Sequence, residues 1–282
     1  MRVFPQYFTP TRSEKNKRMK KYIQFIKISF NNGLAYRVEY FVGTFRNLVI
    51  LLVQLCVWRA LLAAGSVTTD AGVITLREMN TYVLISSMIQ TLLTVNVVWN
   101  ISDRIRNGQI AMDLIKPLNF QAYTFANMLG QNMFSFLFQL LPILAVGVIF
   151  IGMDFPSIPN LLFFLVVMIN AIIISFQINY IVGLVVFWYL RGWQANVIWM
   201  LNRLFSGAYI PLWFFPKFLV TISGFLPFRL YYFVPISIYL GKLTPLDCLY
   251  AILQQFAWMV VLYGLIRLEW RAAIKKLVIQ GG

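Results

Sequence analysis

The sequence contains no histidine. That absence excludes a histidine base, a Ser-His-Asp triad, a histidine metal ligand and a histidine proton relay. Its two cysteines, Cys56 and Cys248, are too few for a zinc site or an iron–sulfur cluster. Both sit in apolar runs, where a lone cysteine behaves as a small buried apolar residue. Charge is also scarce, at 12% of 282 residues, so a soluble globular domain is excluded. Acids are scarcest of all, nine against 24 Lys and Arg. A proton-coupled transporter needs carboxylates within the membrane, and none stands out in the apolar runs. Paired-carboxylate catalysis has only Asp103 and Asp113, which read as charge and capping residues. The phosphate loop G-x-x-x-x-G-K-[ST] is missing, because Gly241-Lys242 is followed by Leu243 with no glycine five residues earlier. Neither H-E-x-x-H nor G-x-S-x-G occurs, and no internal repeat is visible.

What remains is apolar. Hydrophobic residues make up 60% of the chain and the mean hydropathy is +0.73, which describes a polytopic membrane protein. The net charge of +15 does not point to nucleic acid, since no basic patch interleaved with aromatics lies outside the apolar runs. The basic residues lie mainly between and beyond the spans, where they suit anionic lipid headgroups.

Residues 1–19 read as a flexible basic cytoplasmic arm ahead of a single transmembrane domain, 20–282. The arm is too long and basic for a cleavable signal, and full spans follow it. Residues 20–37 carry Tyr22, Ile23, Ile26, Phe30 and Leu34 at three- and four-residue spacing, with Lys20, Gln24, Lys27 and Asn31 opposite. This pattern suits a helix lying in the membrane interface, or a cytoplasmic extension of the first span. Six spans follow at about 41–63, 79–100, 124–151, 160–188, 194–210 and 247–267, each at or near the roughly 20 residues that cross the hydrocarbon. The fifth is the weakest, because it contains Arg203 and ends at Pro211. Segments on the side of the termini hold seventeen Lys and Arg, against four on the other side, which places both termini in the cytoplasm. The expected fold is therefore all-α and integral to the membrane. It has six transmembrane helices, an N-terminal interfacial helix and a re-entrant helical segment between spans five and six.

Two connecting segments are not ordinary loops. Residues 102–118 hold Asp103, Arg104, Arg106 and Gly108, then an apolar stretch with Asp113, closed by Lys116-Pro117. A short helix of mixed character there is either a docking element or a helix resting on the membrane surface. Residues 211–240 belong to a stretch that holds five of the eleven prolines, at 211, 216, 227, 235 and 245. No straight helix survives that spacing, so two short helices dipping into the outer leaflet are expected. Its aromatics Trp213, Phe214, Phe215, Phe218, Phe225 and Phe228 form either an outer gate or an aromatic belt.

Several polar residues lie inside the spans. Arg203 is mid-span, and a cation at that depth faces a partner, a water-filled path or the interface by snorkelling. Arg46 and Arg59 read as snorkelling to opposite faces. Ala171, Ser175, Asn179 and Gly183 form a four-residue stripe that suits close helix packing, and Asn96, Asn100, Gln131 and Gln139 read the same way.

The stretches IRNGQIAMDLIKPLNFQAYTFANMLG (105–130) and SGAYIPLWFFP…LPF…P…LG (206–241) carry a resemblance. With the six spans and the broken segment between the last two, the chain resembles the permease subunit of a type-2 ABC exporter. It looks most like a bacterial subfamily of ABC-2-like permeases. The resemblance implies a separate ABC ATPase partner that holds ATP and Mg²⁺, with no cofactor in this chain. It also implies a second permease subunit, identical or homologous, and residence in the bacterial inner membrane. The coupling element would comprise Asp103, Arg104, Arg106, Gly108, Asp113 and Lys116, with the 20–37 helix also touching the ATPase. Trp213, Phe214, Phe215, Phe218, Phe225 and Phe228 would form the outer gate, and Arg203 would be a cation on the path. The cargo stays open, because such exporters carry drugs, peptides, lipids and glycans. A secondary transporter or channel is the alternative; it needs coupling carboxylates or a selectivity ring, and neither is visible.

Overall fold

The structure is a computed structural model that describes residues 12–35, 37–63, 65–69, 72–93, 96–115, 118–189 and 194–280. Residues 1–11 of the expected basic arm, and Lys116 of the expected coupling element, lie outside the described residues. Helices α1 (Arg12–Ala35) and α2 (Arg37–Leu61) lead to a small antiparallel hairpin of β1 (Val67–Thr69) and β2 (Gly72–Ile74). Then come α3 (Leu76–Leu93), α4 (Val97–Arg106), α5 (Gln109–Ile115), α6 (Phe120–Ser135), α7 (Leu141–Val146) and α8 (Ile158–Val185). The chain closes with α9 (Gln194–Phe205), α10 (Lys217–Phe225), α11 (Phe233–Tyr239) and α12 (Pro245–Gln280).

Local chemistry sets these boundaries. Thr75 caps α3 reciprocally with Glu78: the Glu78 N–H donates to the threonine hydroxyl at 3.2 Å and the Thr75 N–H to the carboxylate at 3.0 Å. Thr244 and Asp247 repeat this at α12, which opens on Pro245. Asn119 caps α6 by accepting from the Ala122 N–H at 3.0 Å. Between α6 and α7 the turns widen to a π-helix over Phe136–Leu140, just before Pro142, whose ring lacks an N–H donor. A second π turn, Gly147–Ile151, ends at Gly152 with a left-handed φ of 72°.

Among the described residues, five segments are long and apolar enough to cross a membrane: Tyr40–Leu61, Leu76–Arg106, Phe120–Ile151, Ile158–Val185 and Pro245–Lys275. The chain is an all-α membrane protein. The expected fifth span at 194–210 is not one helix. Helix α9 has 12 residues, about 18 Å of rise, and stops at Phe205. The stop has visible causes. The Tyr82 hydroxyl donates to the Gly207 carbonyl at 2.6 Å, Ser86 to that of Ala208 at 2.5 Å, and the Phe233 N–H to that of Ser206 at 3.0 Å. Gly207 itself has φ 77°, and an added Cβ would meet Phe233 at 3.0 Å and the Tyr82 hydroxyl at 3.1 Å.

Helices α8 and α12 pack in parallel. The Asn170 amide donates to Gln255 at 3.0 Å, and seven residues on the Gln177 amide donates to the Met259 carbonyl at 3.1 Å. Two parallel helices in one bundle require the chain between them to return to its starting end. Residues 186–244 make that return. Gln254 donates to the Gly224 carbonyl at 2.8 Å, and Gln255 to that of Leu230 at 2.9 Å. Both glutamines stand about ten residues, roughly 15 Å, along α12 from its start. Gly241 is back beside the start of α8, where its Cβ position lies 3.1 Å from the Asn160 amide nitrogen. Segment 212–240 therefore reaches deep along α12 and comes back.

One end of the bundle, the hairpin end, is tied by Arg77 to Asp154 and by Lys242 to Glu78, each at 2.6 Å. At the other, the elbow end, Phe120 stacks on Trp270 at 5.5 Å. Helix α1 also lies along α6 from that end. It runs parallel to α6, from the Tyr22 hydroxyl at the Asn119 N–H to Phe30 against Phe134. It begins at Arg12, within the residues expected to form the arm. The face it packs on α6 includes small residues outside the apolar face that the sequence assigned to the membrane interface. Ser29 and Gly33 are buried, whereas Ile23 and Leu34 are exposed. The reason is size: the Gly130 backbone sits so close that an added Cβ would lie 2.4 Å from the Ile26 carbonyl.

The core lies between α3, α8, α11 and the 3-10 turn Phe228–Tyr231, with Tyr82, Ile89, Ile174 and Ile236 almost fully buried. Helix α2 stands apart. Thr44, Leu51 and Trp58 form one buried stripe at seven-residue spacing, and most of its other apolar side chains are exposed.

Candidate functional site

Two features of the bundle can carry function. The first is the elbow between α4 and α5. Arg104 pairs with Asp113 across the turn at Asn107–Gly108. It also donates to the Tyr123 hydroxyl at 3.0 Å, with its guanidinium 5.3 Å from that ring's centroid. Phe25 of α1 meets Tyr123 edge-on at 4.8 Å, so the elbow is braced against both α6 and α1. Gly108 takes φ 68°, a left-handed value that lets the chain reverse sharply between the helices. Ile110 is buried beside Ile101 and Phe120, which fixes how α5 is turned. The opposite face of α5 carries Met112 and Ile115, 69% and 81% exposed. Asp103 and Arg106 are exposed beside it. The two exposed apolar side chains were not singled out in the sequence, although their three-residue spacing opposite Ile110 was the available signal.

The second feature is a file of open cavities along the bundle. A cavity of about 250 Å³ lies between α1, α4 and α6, lined by Asn32, Asn100, Arg104 and Asn127. Through Ser29, Asn32 and Gln131 it adjoins a second of about 590 Å³, which holds Arg46, Asn47, Asn96 and Gln139. Through Arg46 and Asn96 that one adjoins a third of about 360 Å³, lined by Gln90, Asn179, Asn202 and Arg203. Among the described residues, no aspartate or glutamate lines any of the three. The tract is thus polar and cationic along its length. Asn96, Asn100, Gln131 and Gln139, expected to pack helices, line it; Gln139 also bridges to α2 by donating to the Tyr40 carbonyl at 3.3 Å, and Arg46 lines the tract as well. Ala171 and Gly183 remain packing residues; Gly183 leaves room for Ile101, whose Cδ1 lies 2.8 Å from the missing Cβ.

Arg203 lines the third cavity, 5.8 Å from the centroid of the Tyr209 ring. The Tyr209 hydroxyl accepts from the Gln90 amide at 3.0 Å. No carboxylate pairs with Arg203 or Arg46 among the described residues.

The six aromatics expected at a gate are not gathered in one place. Trp213 meets Tyr82 at 5.5 Å and Phe233 at 5.3 Å, and Phe214 meets Trp58 at 5.1 Å. Phe228 is buried and Phe215 half-buried. Phe218 and Phe225, on α10, are exposed. Three rings therefore serve packing, and two face outward. Among the described residues no three acids or cysteines converge as a metal site needs.

The model of a family described as ABC-2 family transporter protein matches residues 48–281. No curated protein and no solved structure matches the chain.

Proposed function

Because the chain belongs to the ABC-2 family of transporter proteins, we propose that it is the permease subunit of an ATP-driven exporter, coupled to a separate ABC ATPase. The observation that carries this reading is the braced elbow. A helix of seven residues is tied to the spans by Arg104, Asp113 and Tyr123, yet presents Met112 and Ile115 outward. Exposed apolar side chains rimmed by Asp103 and Arg106 suit a groove on a soluble partner. Arg104, Gly108 and Asp113 then shape the elbow, while Asp103, Arg106 and the apolar pair contact the ATPase. Movement imposed on α5 passes to α4 and α6 through the paired Arg104.

In this reading the elbow end lies in the cytoplasm of a bacterium and the hairpin end outside. The parallel packing of α8 and α12 supports six crossings, with α9 as a short fifth crossing. Segment 212–240 is then a re-entrant element on the outer side, and both termini are cytoplasmic. The elongated exposed face of α2 faces lipid or a second permease subunit. The polar tract is half of the translocation path, with Arg203 on it. ATP and Mg²⁺ belong to the partner, since this chain has no phosphate loop.

Cysteine pairs test the coupling. Single cysteines at 112 and 115, each with a cysteine on the ATPase surface, should cross-link in the intact complex. A clean negative at several pairs, with the complex still assembled, overturns the elbow's role.

A further inference from the structure

Tyr209 stands at the edge of the cationic tract. That residue also borders an apolar groove of about 580 Å³, lined by Val53, Val57, Leu61, Ile210 and Phe214. The groove is open along α2, whose apolar side chains there are mostly exposed. The two compartments have opposite chemistry. One offers guanidinium and amide donors with no lining carboxylate among the described residues, and the other offers hydrocarbon walls. They meet at one side chain that has both characters, a tyrosine with its ring beside Arg203 and its hydroxyl bonded to Gln90.

We propose that this junction binds an amphipathic anion, with a phosphate-bearing headgroup between Arg46 and Arg203 and an alkyl chain along the groove. This rests on the reading of the tract as the transport path, and it names the class of cargo.

Three physical arguments support it. First, Arg46 and Arg203 are exposed, line the cavity and have no carboxylate partner among the described residues, so an incoming anion supplies one. Arg46 and Arg203 line one cavity, so two cations can share one phosphate, whose oxygens match the guanidinium fork. Second, a cavity without carboxylates repels no anion and offers no partner to a cation. Third, both compartments border Tyr209, so one molecule that passes this side chain fills both. A small hydrophilic anion would leave the groove unused, and a neutral hydrocarbon would leave the donors unpaired, which is the costlier mismatch.

The groove's occupant follows from this shared border at Tyr209. It is the chain of the same molecule whose charge the arginines hold.

The test uses the full chain in nanodiscs, prepared with its ATPase. Two photoreactive probes carry a diazirine on one acyl chain: a phosphatidylglycerol and the matching phosphatidylcholine. Mass spectrometry locates the labelled peptides. The expected result is labelling of residues 53–62 and 209–214 that is about fivefold stronger with the anionic probe, the order set by one cationic contact of about 1 kcal/mol. The double variant Arg46→Gln/Arg203→Gln abolishes the preference, and Arg46→Lys/Arg203→Lys keeps most of it. Val57→Trp, at an exposed position in the groove, reduces labelling by both probes. Glycerol 3-phosphate at millimolar concentration does not compete.

Equal labelling by the two probes overturns the proposal, as does a preference that survives in the double glutamine variant. Full competition by glycerol 3-phosphate overturns it too, since a free phosphate would then suffice. Unchanged labelling in Val57→Trp removes the groove from the site and overturns the amphiphile. The ATPase is scored in the same preparation. Its presence without a headgroup preference removes the cargo class and leaves the permease reading intact; its absence removes the permease reading whatever the labels show.

Discussion

Arg104 on α4 is paired with Asp113 on α5, nine residues along the chain and across a left-handed glycine. The aspartate is almost buried and the arginine about a quarter exposed, so the pair is shielded from full solvent screening. In the proposed reading it is the link by which a seven-residue helix moves a span.

Asp113→Asn should loosen that link. The substitution keeps the shape, removes the charge and leaves Arg104 half-paired, at a cost of about 1–3 kcal/mol. Hydrogen exchange should rise in residues 107–115 and remain unchanged in α8 and α12. Faster exchange throughout the bundle would mean that the pair supports the whole fold instead.

Met112→Ser/Ile115→Ser should leave the permease as stable as before, because both side chains are exposed. Association with the ATPase should fall by about tenfold or more, as for loss of a central apolar contact. Co-elution on size exclusion measures it. Retained association would move the docking surface elsewhere.

Gly130→Ala should push α1 away from α6. The new Cβ would lie 2.4 Å from a backbone carbonyl, which cannot swing aside as a side chain could. The expected cost is about 1–3 kcal/mol, larger than the gain in helix propensity. Gly264→Ala is the control: nothing lies within 4 Å, so it should be neutral or slightly stabilising. Limited proteolysis within residues 12–35 reads the difference.

Gln255→Leu should destabilise the whole bundle. That side chain is fully buried, donates to the carbonyls of Leu230 and Val167 and accepts from Asn170. Leucine leaves the Leu230 carbonyl and the Asn170 amide without these partners, a loss of about 2–4 kcal/mol. Thermal unfolding in detergent, followed by tryptophan fluorescence, should shift down by several degrees.

These residues also mark what a sequence can and cannot disclose. Long apolar runs reveal spans because crossing about 30 Å of hydrocarbon demands them, and five runs did so. The prolines between 211 and 245 announced broken helices for the same reason, because each removes an N–H donor. Helix α9 was harder. Its apolar pattern continues past Phe205, and the helix stops where Tyr82, Ser86 and Phe233 take its carbonyls, all distant in sequence. The part that Ser29 and Gly33 play in seating α1 on α6 was hidden for a related reason: they pack because they are small, and hydrophobic periodicity does not count small residues. The elbow was visible in Asp103–Lys116, yet the pairing of Arg104 with Asp113 needed the turn geometry at Gly108. The polar tract was least legible. Asn96, Gln131 and Arg46 come from three helices, and one sequence cannot say that they converge on one cavity.

The most direct measurement is affinity purification of the tagged chain in a mild detergent, followed by mass spectrometry of what elutes with it. An ABC ATPase in stoichiometric amount is the predicted result, with any second permease settling homodimer against heterodimer. A chain that elutes alone, in repeated trials and again from nanodiscs, would contradict an ATP-driven permease and favour transport that follows an ion gradient.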